Sequence, residues 1–209
     1  MKSLVVRPLK GIVEVPITDG PHETPIFFDD GIPFVSAEAV SGGFVNFEKI
    51  RGYISVEDHE RYSKKYKPRL HDIYMIKSGA TTGVTAIVET EVDFNIWSPL
   101  AVVRCGKDSD PYFVLNFMRS RSFQEAVSLN WSFGTQQNIG MGVIGNLQVT
   151  VPPLSEQQEI SAFLATSSTR LVALISKTER SIELLKERRS ALITAAVTGQ
   201  IDLREAVDA

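Results

Sequence analysis

In the segment Val151-Pro-Pro-Leu-Ser-Glu-Gln-Gln-Glu-Ile160, the sequence changes from short β-like runs separated by turns to one long segment of helical pattern. Its two prolines favour an extended entry, and Ser155-Glu-Gln-Gln158 has the S-x-x-Q form of a capping box, which marks a helix start. From Glu156 to Val197 the sequence contains neither glycine nor proline, and Gly199 then supplies a stop. We therefore predict one continuous helix of roughly 60 Å, at about 1.5 Å per residue.

The apolar residues of this helix follow the period of a coiled coil. They recur at alternating spacings of four and three residues, and Ser168, Thr178 and Arg189 fill the remaining positions. The alternative is a helix folded back on its own domain, but the predicted length exceeds the width of a domain whose radius of gyration is about 15 Å. We therefore expect an intermolecular coiled coil. The predicted dimer interface comprises Leu164, Leu171, Ile175, Thr178, Ile182, Leu185, Arg189, Leu192 and Ala196.

Upstream of the two prolines, short β-like runs alternate with turns. Asp110-Pro111 opens a segment to Asn130 that predicts one or two helices, with Asp110 as the N-cap and Pro111 at the first helical position. We expect a mixed α+β (α/β) globular domain over residues 1–153, followed by the helix and tail over 154–209, with the strand order left open. The predicted strands, rich in β-branched and aromatic residues, are Ile32–Val40, Gly52–Val56, Asp72–Ile76, Thr81–Glu89, Leu100–Cys105 and Leu147–Val151.

Composition limits the classes of function. The chain has 209 residues, of which 43% are hydrophobic, and this is enough for one packed domain. No apolar run reaches the roughly 18 residues of a membrane span, so we expect no membrane partner. The single cysteine, Cys105, excludes an internal disulfide and fits a cytoplasmic location. The net charge is −3, so any nucleic-acid site must be a local basic patch.

Signatures of enzymes are missing from the sequence. Neither a P-loop nor a nucleophile elbow is present. His22, His59 and His71 are scattered without metal-ligand spacing. We therefore expect no catalytic residue, no metal and no cofactor in this chain.

One stretch predicts a polyanion site. Arg61-Tyr-Ser-Lys-Lys-Tyr-Lys-Pro-Arg69 places five cations and two tyrosines within nine residues. Such cations repel one another unless an anion is near, and tyrosine can donate to phosphate. The alternative is a solvated charged loop. The glycine-bounded loop Ser78–Gly83 predicts a tight turn whose backbone could contact phosphate. The candidate residues are Arg61, Tyr62, Lys64, Lys65, Tyr66, Lys67, Arg69, Lys77, Ser78, Thr81 and Thr82.

Several motifs resemble those of one family, the specificity (S) subunits of type I restriction–modification systems. The segment Val151–Leu164 is similar to that family's signature, Leu174–Ile193 to its long helix, and Ala196–Ile201 to its closing turn. His71 stands where the family usually has glycine. Looser matches lie upstream in the same order, at Ile17–Pro25, Gly31–Ser36, Asp72–Gly79 and Gly134–Gly140.

The resemblance implies a target recognition domain that binds double-stranded DNA at the candidate residues above. Methyltransferase subunits and an ATP-dependent restriction subunit would be the catalytic partners. Members of this family usually have two recognition domains and two long helices, whereas this chain has one of each and resembles a half-length form. We expect it to be a non-catalytic recognition subunit that homodimerises and binds an interrupted palindrome. The alternatives are the recognition fragment of a fused restriction–methylation enzyme, and a coiled-coil assembly protein without DNA contact.

Overall fold

The computed structural model describes residues 5–133 and 137–200. The chain divides into two compact units, Met1–Ser161 and Ala162–Ala209. Parts of two motifs, residues 134–136 and Ile201, lie outside the described residues, as does the tail at 202–209.

A four-stranded antiparallel sheet is the centre of the first unit. Every residue of three of its four strands is buried. Because successive side chains of a strand point to opposite faces, both faces of this sheet must be covered. This explains why the sequence shows unbroken apolar runs there and no alternation with polar residues. The strands, in spatial order, are β2 (Thr18–Asp19), β8 (Leu100–Val103), β5 (Ile73–Ile76) and β6 (Thr85–Ile87).

Two apolar cores lie on the two faces of this sheet. Ile73 and Met75 belong to the core that includes residues of three helices, among them Met118 and Phe123. Tyr74 and Ile76 belong to the other core, with Phe94 and Ile96. Each fully buried aliphatic side chain contributes about 1.5–3 kcal/mol to folding. The three helices are α3 (Pro111–Arg119), α4 (Arg121–Leu129) and α5 (Met141–Asn146).

Three smaller sheets complete the unit. In the first, β3 (Ile32–Val35) pairs antiparallel with β4 (Tyr53–Ile54) and parallel with β7 (Asn95–Ile96). Helix α1 (Ala37–Val40) follows β3, and α2 (Val56–Ser63) follows β4. The other two are antiparallel pairs, β1 (Val5–Pro8) with β11 (Gln148–Val151) and β9 (Ser132–Phe133) with β10 (Gln137–Asn138).

Local sequence signals predicted about half of these strands and helices. Asp110 caps α3 by accepting a hydrogen bond from the Phe113 amide at 2.8 Å, as predicted, and Pro111 occupies the first turn. The prediction of one strand over Ile32–Val40 is correct only to Val35. It is wrong for Ala37–Val40, which form α1, because alanine and glutamate favour helix there.

The predicted long helix is confirmed as α6 (Leu154–Val197), 44 residues and about 66 Å long. Its N-terminus differs from the prediction. The Pro153 carbonyl accepts from the amides of Glu156 and Gln157, so Ser155 lies inside the first turn and the predicted capping box is wrong. The C-terminal stop is confirmed, because Gly199 adopts a φ of 71° and the Gln200 amide donates to the Ala195 carbonyl at 2.8 Å.

The second unit leaves the predicted apolar ladder uncovered within a single chain. Between Ala162 and Gln200 no described residue is buried. The ladder residues Leu171, Ile175, Ile182, Leu185 and Leu192 are 46% to 62% exposed.

Candidate nucleic-acid interface

The two tyrosines of the basic stretch point into the domain. Tyr62 packs against Phe34, and the Tyr66 hydroxyl donates to Asp72 Oδ2 at 2.6 Å. Burial raises the pKa of Tyr62 to about 12 and raises the pKa of Tyr66 still further. The structure therefore corrects the expectation that these rings face a polyanion, and gives them a role in anchoring the stretch to the core.

Four of the five cations in the stretch have an acidic partner within the chain. Lys64 is exposed and has no ion pair among the described residues. The chain's own carboxylates therefore relieve most of the mutual repulsion, so the density of cations alone does not indicate a bound polyanion. The pairs are Arg61 with Glu23 (2.9 Å) and Asp58 (2.6 Å), Lys65 with Asp19 (2.5 Å), Lys67 with Asp93 (2.9 Å) and Arg69 with Glu14 (3.7 Å).

A buried carboxylate gathers three basic side chains into what we call the Asp19 cluster, formed by Asp19, His22, Lys65 and Lys77. Lys65 Nζ lies 2.5 Å from Oδ1, and His22 Nε2 and Lys77 Nζ lie 3.0 Å and 3.3 Å from Oδ2. Burial alone would raise the pKa of Asp19, but Lys65, Lys77 and His22 together hold it below its usual value. One carboxylate faces two lysines, so the cluster keeps a net positive charge.

Neighbouring loops converge on the Asp19 cluster. The Ile139 amide donates to the Lys77 carbonyl at 2.9 Å, and the Gly79 amide donates to the Gln137 carbonyl at 3.0 Å. The Ser98 amide donates to the Pro21 carbonyl at 3.1 Å. Four segments of the chain, around residues 20, 78, 98 and 138, are thus held together at one edge of the domain.

The loop after Lys77 is the tight turn that its glycines predicted. Gly79 and Gly83 have φ values of 105° and 96°, in the region that favours glycine. Thr82 is nearly buried, and its hydroxyl donates to the Gly79 carbonyl at 2.7 Å, so it closes the turn. Thr81 is exposed and Ser78 is half-buried, so these two hydroxyl groups remain near the surface beside Lys77.

This edge has the chemistry of a phosphate-binding surface. Two ammonium groups and a histidine surround Asp19, and the Ser78 and Thr81 hydroxyl groups lie in the loop that follows Lys77. Such groups make most protein contacts to the DNA backbone. Sequence reasoning selected Lys65, Lys77, Ser78 and Thr81 but missed Asp19 and His22. The signal was available in Thr18-Asp-Gly-Pro-His22, a turn sequence in which a carboxylate and an imidazole flank a glycine.

We also searched the described residues for a dinucleotide site, a metal site and a membrane-spanning helix. Gly140-Met-Gly-Val-Ile-Gly145 has the G-x-G-x-x-G spacing of dinucleotide sites, a match that sequence reasoning overlooked. Gly140 is the N-cap of the six-residue α5, the rest of the motif lies inside this helix, and the strand that follows pairs antiparallel, whereas a dinucleotide site requires a parallel βαβ unit. Within 5–133 and 137–200, no group of three acidic, histidine or cysteine residues could hold a metal ion, and no helix is long and apolar enough to cross a membrane.

The fold of this chain, a mixed α+β domain followed by one long helix, matches part of the fold of solved type I restriction–modification proteins. The chain matches a chain of a type I R-M system, studied for complex assembly and conformational transition, with TM-score 0.71 and 21% identity over 94% of this chain and 46% of that one. It matches the HsdS subunit from Thermoanaerobacter tengcongensis with TM-score 0.60 and 17% identity over 88% and 47%. For the type I S subunit from M. genitalium the TM-score is 0.57, with 17% identity over 83% and 41%.

At these identities the structural likeness shows the fold, and this chain spans less than half the length of each matched chain. The model of the type I restriction modification DNA specificity domain family matches residues 1–184. The chain therefore belongs to that family. No curated protein matched the chain.

Proposed function

We propose that this chain is a DNA-specificity subunit of a type I restriction–modification system. The observation that carries the proposal is the family match over residues 1–184, which includes both the globular domain and most of the long helix. The chain contributes recognition and spacing and has no catalytic role of its own. Methyltransferase subunits and an ATP-dependent restriction subunit are the partners that carry out the chemistry.

We further propose that two copies of the chain pair through α6. The support is the apolar ladder centred on Ile182 and Leu185, which stays exposed in the single chain. Monomeric proteins rarely leave a long apolar stripe in water. The polar positions Thr178 and Arg189 within the ladder would fix the register of the pair.

The proposed DNA-contacting surface is the Asp19 cluster with Lys64. Lys64 and Lys65 are exposed, and Ser78 and Thr81 lie in the loop that follows Lys77. The remaining cations of the basic stretch, Arg61, Lys67 and Arg69, stay in the proposal because exposed ion pairs are worth only about 0–1 kcal/mol and can be exchanged for phosphate.

The test is the salt dependence of DNA binding by the Lys64→Ala and Lys65→Ala double variant. Each lost phosphate contact lowers the slope of log K against log salt by about 0.9, and binding should weaken alike for all DNA sequences. Lys107→Ala is the matched control, because this lysine is also exposed and has no ion pair among the described residues. An unchanged slope and affinity in the double variant would support the solvated-loop alternative.

A further inference from the structure

The side chain of Gln157 is the buried polar group at the root of the long helix. Gln157 is the fourth residue of α6, and its polar amide side chain is only 1% exposed. Its Oε1 accepts from the Asp110 amide at 2.8 Å, and its Nε2 donates to the carbonyls of Pro152 at 2.8 Å and Asp108 at 3.2 Å. A buried amide whose donors and acceptor are all paired is costly to displace.

A second contact lies one turn further along the same face. The Ser161 hydroxyl donates to Asp110 Oδ1 at 2.6 Å. This is the same oxygen that accepts from the Phe113 amide and caps α3. Ile160 packs against the core of the first unit. Two polar contacts at positions i and i+4 therefore tie the first turns of α6 to the loop before α3.

These contacts stop where the helix becomes uncovered. The first compact unit ends at Ser161, and no described residue beyond it is buried. About 25 residues, or roughly 38 Å, separate Gln157 from the middle of the apolar ladder at Ile182. A change of only about 10° in the helix axis at its root would therefore move the ladder by about 7 Å. That displacement corresponds to about two base pairs at 3.4 Å each.

We propose that Gln157 is a positioning residue that sets the direction of the helix at its root and so restricts the spacing between the two half-sites that the pair of chains accepts. The inference rests on the proposed function for its DNA consequence. Its structural part, a fixed helix root, holds for the chain whatever the chain binds. The two parts can therefore be tested separately.

The structural part is tested by the distance between two spin labels, placed by Glu125→Cys on α4 and Ser181→Cys on α6 and measured by pulsed electron paramagnetic resonance. Labelled chain is diluted with unlabelled chain so that distances within one protomer dominate. Burial raises the pKa of the Cys105 thiol to about 12, so this native cysteine should stay unlabelled at neutral pH. In Gln157→Ala the distance distribution should broaden at least about twofold.

The matched control is Gln158→Ala, which removes the exposed glutamine next to it and should leave the distribution unchanged. Thermal unfolding shows whether Gln157→Ala folds. If it does not, Ser161→Ala is the milder variant, with Ser155→Ala as its control. Distributions as narrow as wild type in folded Gln157→Ala, or in Ser161→Ala where the former does not fold, would overturn the inference.

The DNA part is tested by binding to duplexes that contain two copies of the half-site found by methylation mapping. The spacing between the two copies is varied from two base pairs shorter to two base pairs longer than the natural spacing. Wild type should prefer one spacing, and Gln157→Ala should reduce that preference at least about fivefold while binding a single half-site equally well. An unchanged preference in the variant would overturn the role of Gln157 in spacing. If wild type itself showed no spacing preference, the paired-chain model would fail as well, while narrow label distances would still identify a fixed helix root.

Discussion

At the scale of single residues, the turn before β5 shows a strained residue kept in place by its neighbours. His71 is the one described non-glycine residue with a positive φ, 67°. The next residue, Asp72, is buried and accepts from Arg104 Nε at 2.7 Å and from the Arg69 amide at 2.9 Å. These bonds hold the turn in a conformation that costs a residue with a side chain roughly 1–2 kcal/mol. His71 therefore occupies a backbone conformation that glycine adopts without this steric cost.

We predict that His71→Gly stabilises the domain by about 0.5–1 kcal/mol, because relief of the strained φ outweighs the added entropy of the unfolded chain. Loss of the contact between the His71 and Tyr112 rings, whose centroids lie 5.6 Å apart, limits the gain. Urea unfolding measures the change. Leu70→Gly, at an exposed neighbour without a positive φ, is the control and should destabilise. A lower midpoint for His71→Gly would show that the turn is not strained.

Local signals predicted some of these residues, and long-range packing determined the others. The Asp110 cap could be predicted because its partner, Phe113, is three residues away. In the Asp19 cluster, the turn sequence around Asp19 and His22 is a local signal, but Lys65 and Lys77 lie 46 and 58 positions from Asp19, so no local pattern could predict their contacts with it. Tyr66 was assigned to the surface because its neighbours are charged, whereas its hydroxyl is satisfied by Asp72 in the interior.

At the scale of elements, length decided what the sequence could predict. Helix α6 was predicted almost to its ends because 44 residues carry one repeated pattern and a glycine stop. The two-residue strands β2 and β7 were missed because they exist only through pairing with β8 and β3. Helix α2 was also missed, although Ser55 accepts from the Asp58 amide at 3.1 Å as an ordinary N-cap.

We predict that replacing Ile182 and Leu185 by Asp converts the chain from a dimer into a folded monomer. Two carboxylates within an apolar helix interface would have to be desolvated, and this costs far more free energy than formation of the interface releases. Sedimentation equilibrium at micromolar concentration measures the mass. The control adds the same two aspartates away from the ladder, as Lys177→Asp and Ser190→Asp, and should stay dimeric. A wild-type chain that sediments as a monomer would contradict the pairing of α6.

At the scale of the whole molecule, the net charge of the chain and its proposed two-fold pairing determine how we expect it to bind DNA. The chain has a net charge of −3, so a single patch cannot supply the affinity that many phosphate contacts give. We infer that partner subunits contribute a large part of DNA binding. If two copies pair about a two-fold axis, as we propose, they present identical surfaces, and we expect their recognition domains to bind inverted copies of one half-site.

We propose that this chain specifies a DNA target as a pair of identical copies. The most direct measurement is sequencing of methylated positions in DNA from cells that express the chain with its methyltransferase partner. Under this proposal we expect methylation at one interrupted palindrome, which disappears when the chain is omitted. Two unlike half-sites, or the same methylation without the chain, would contradict it.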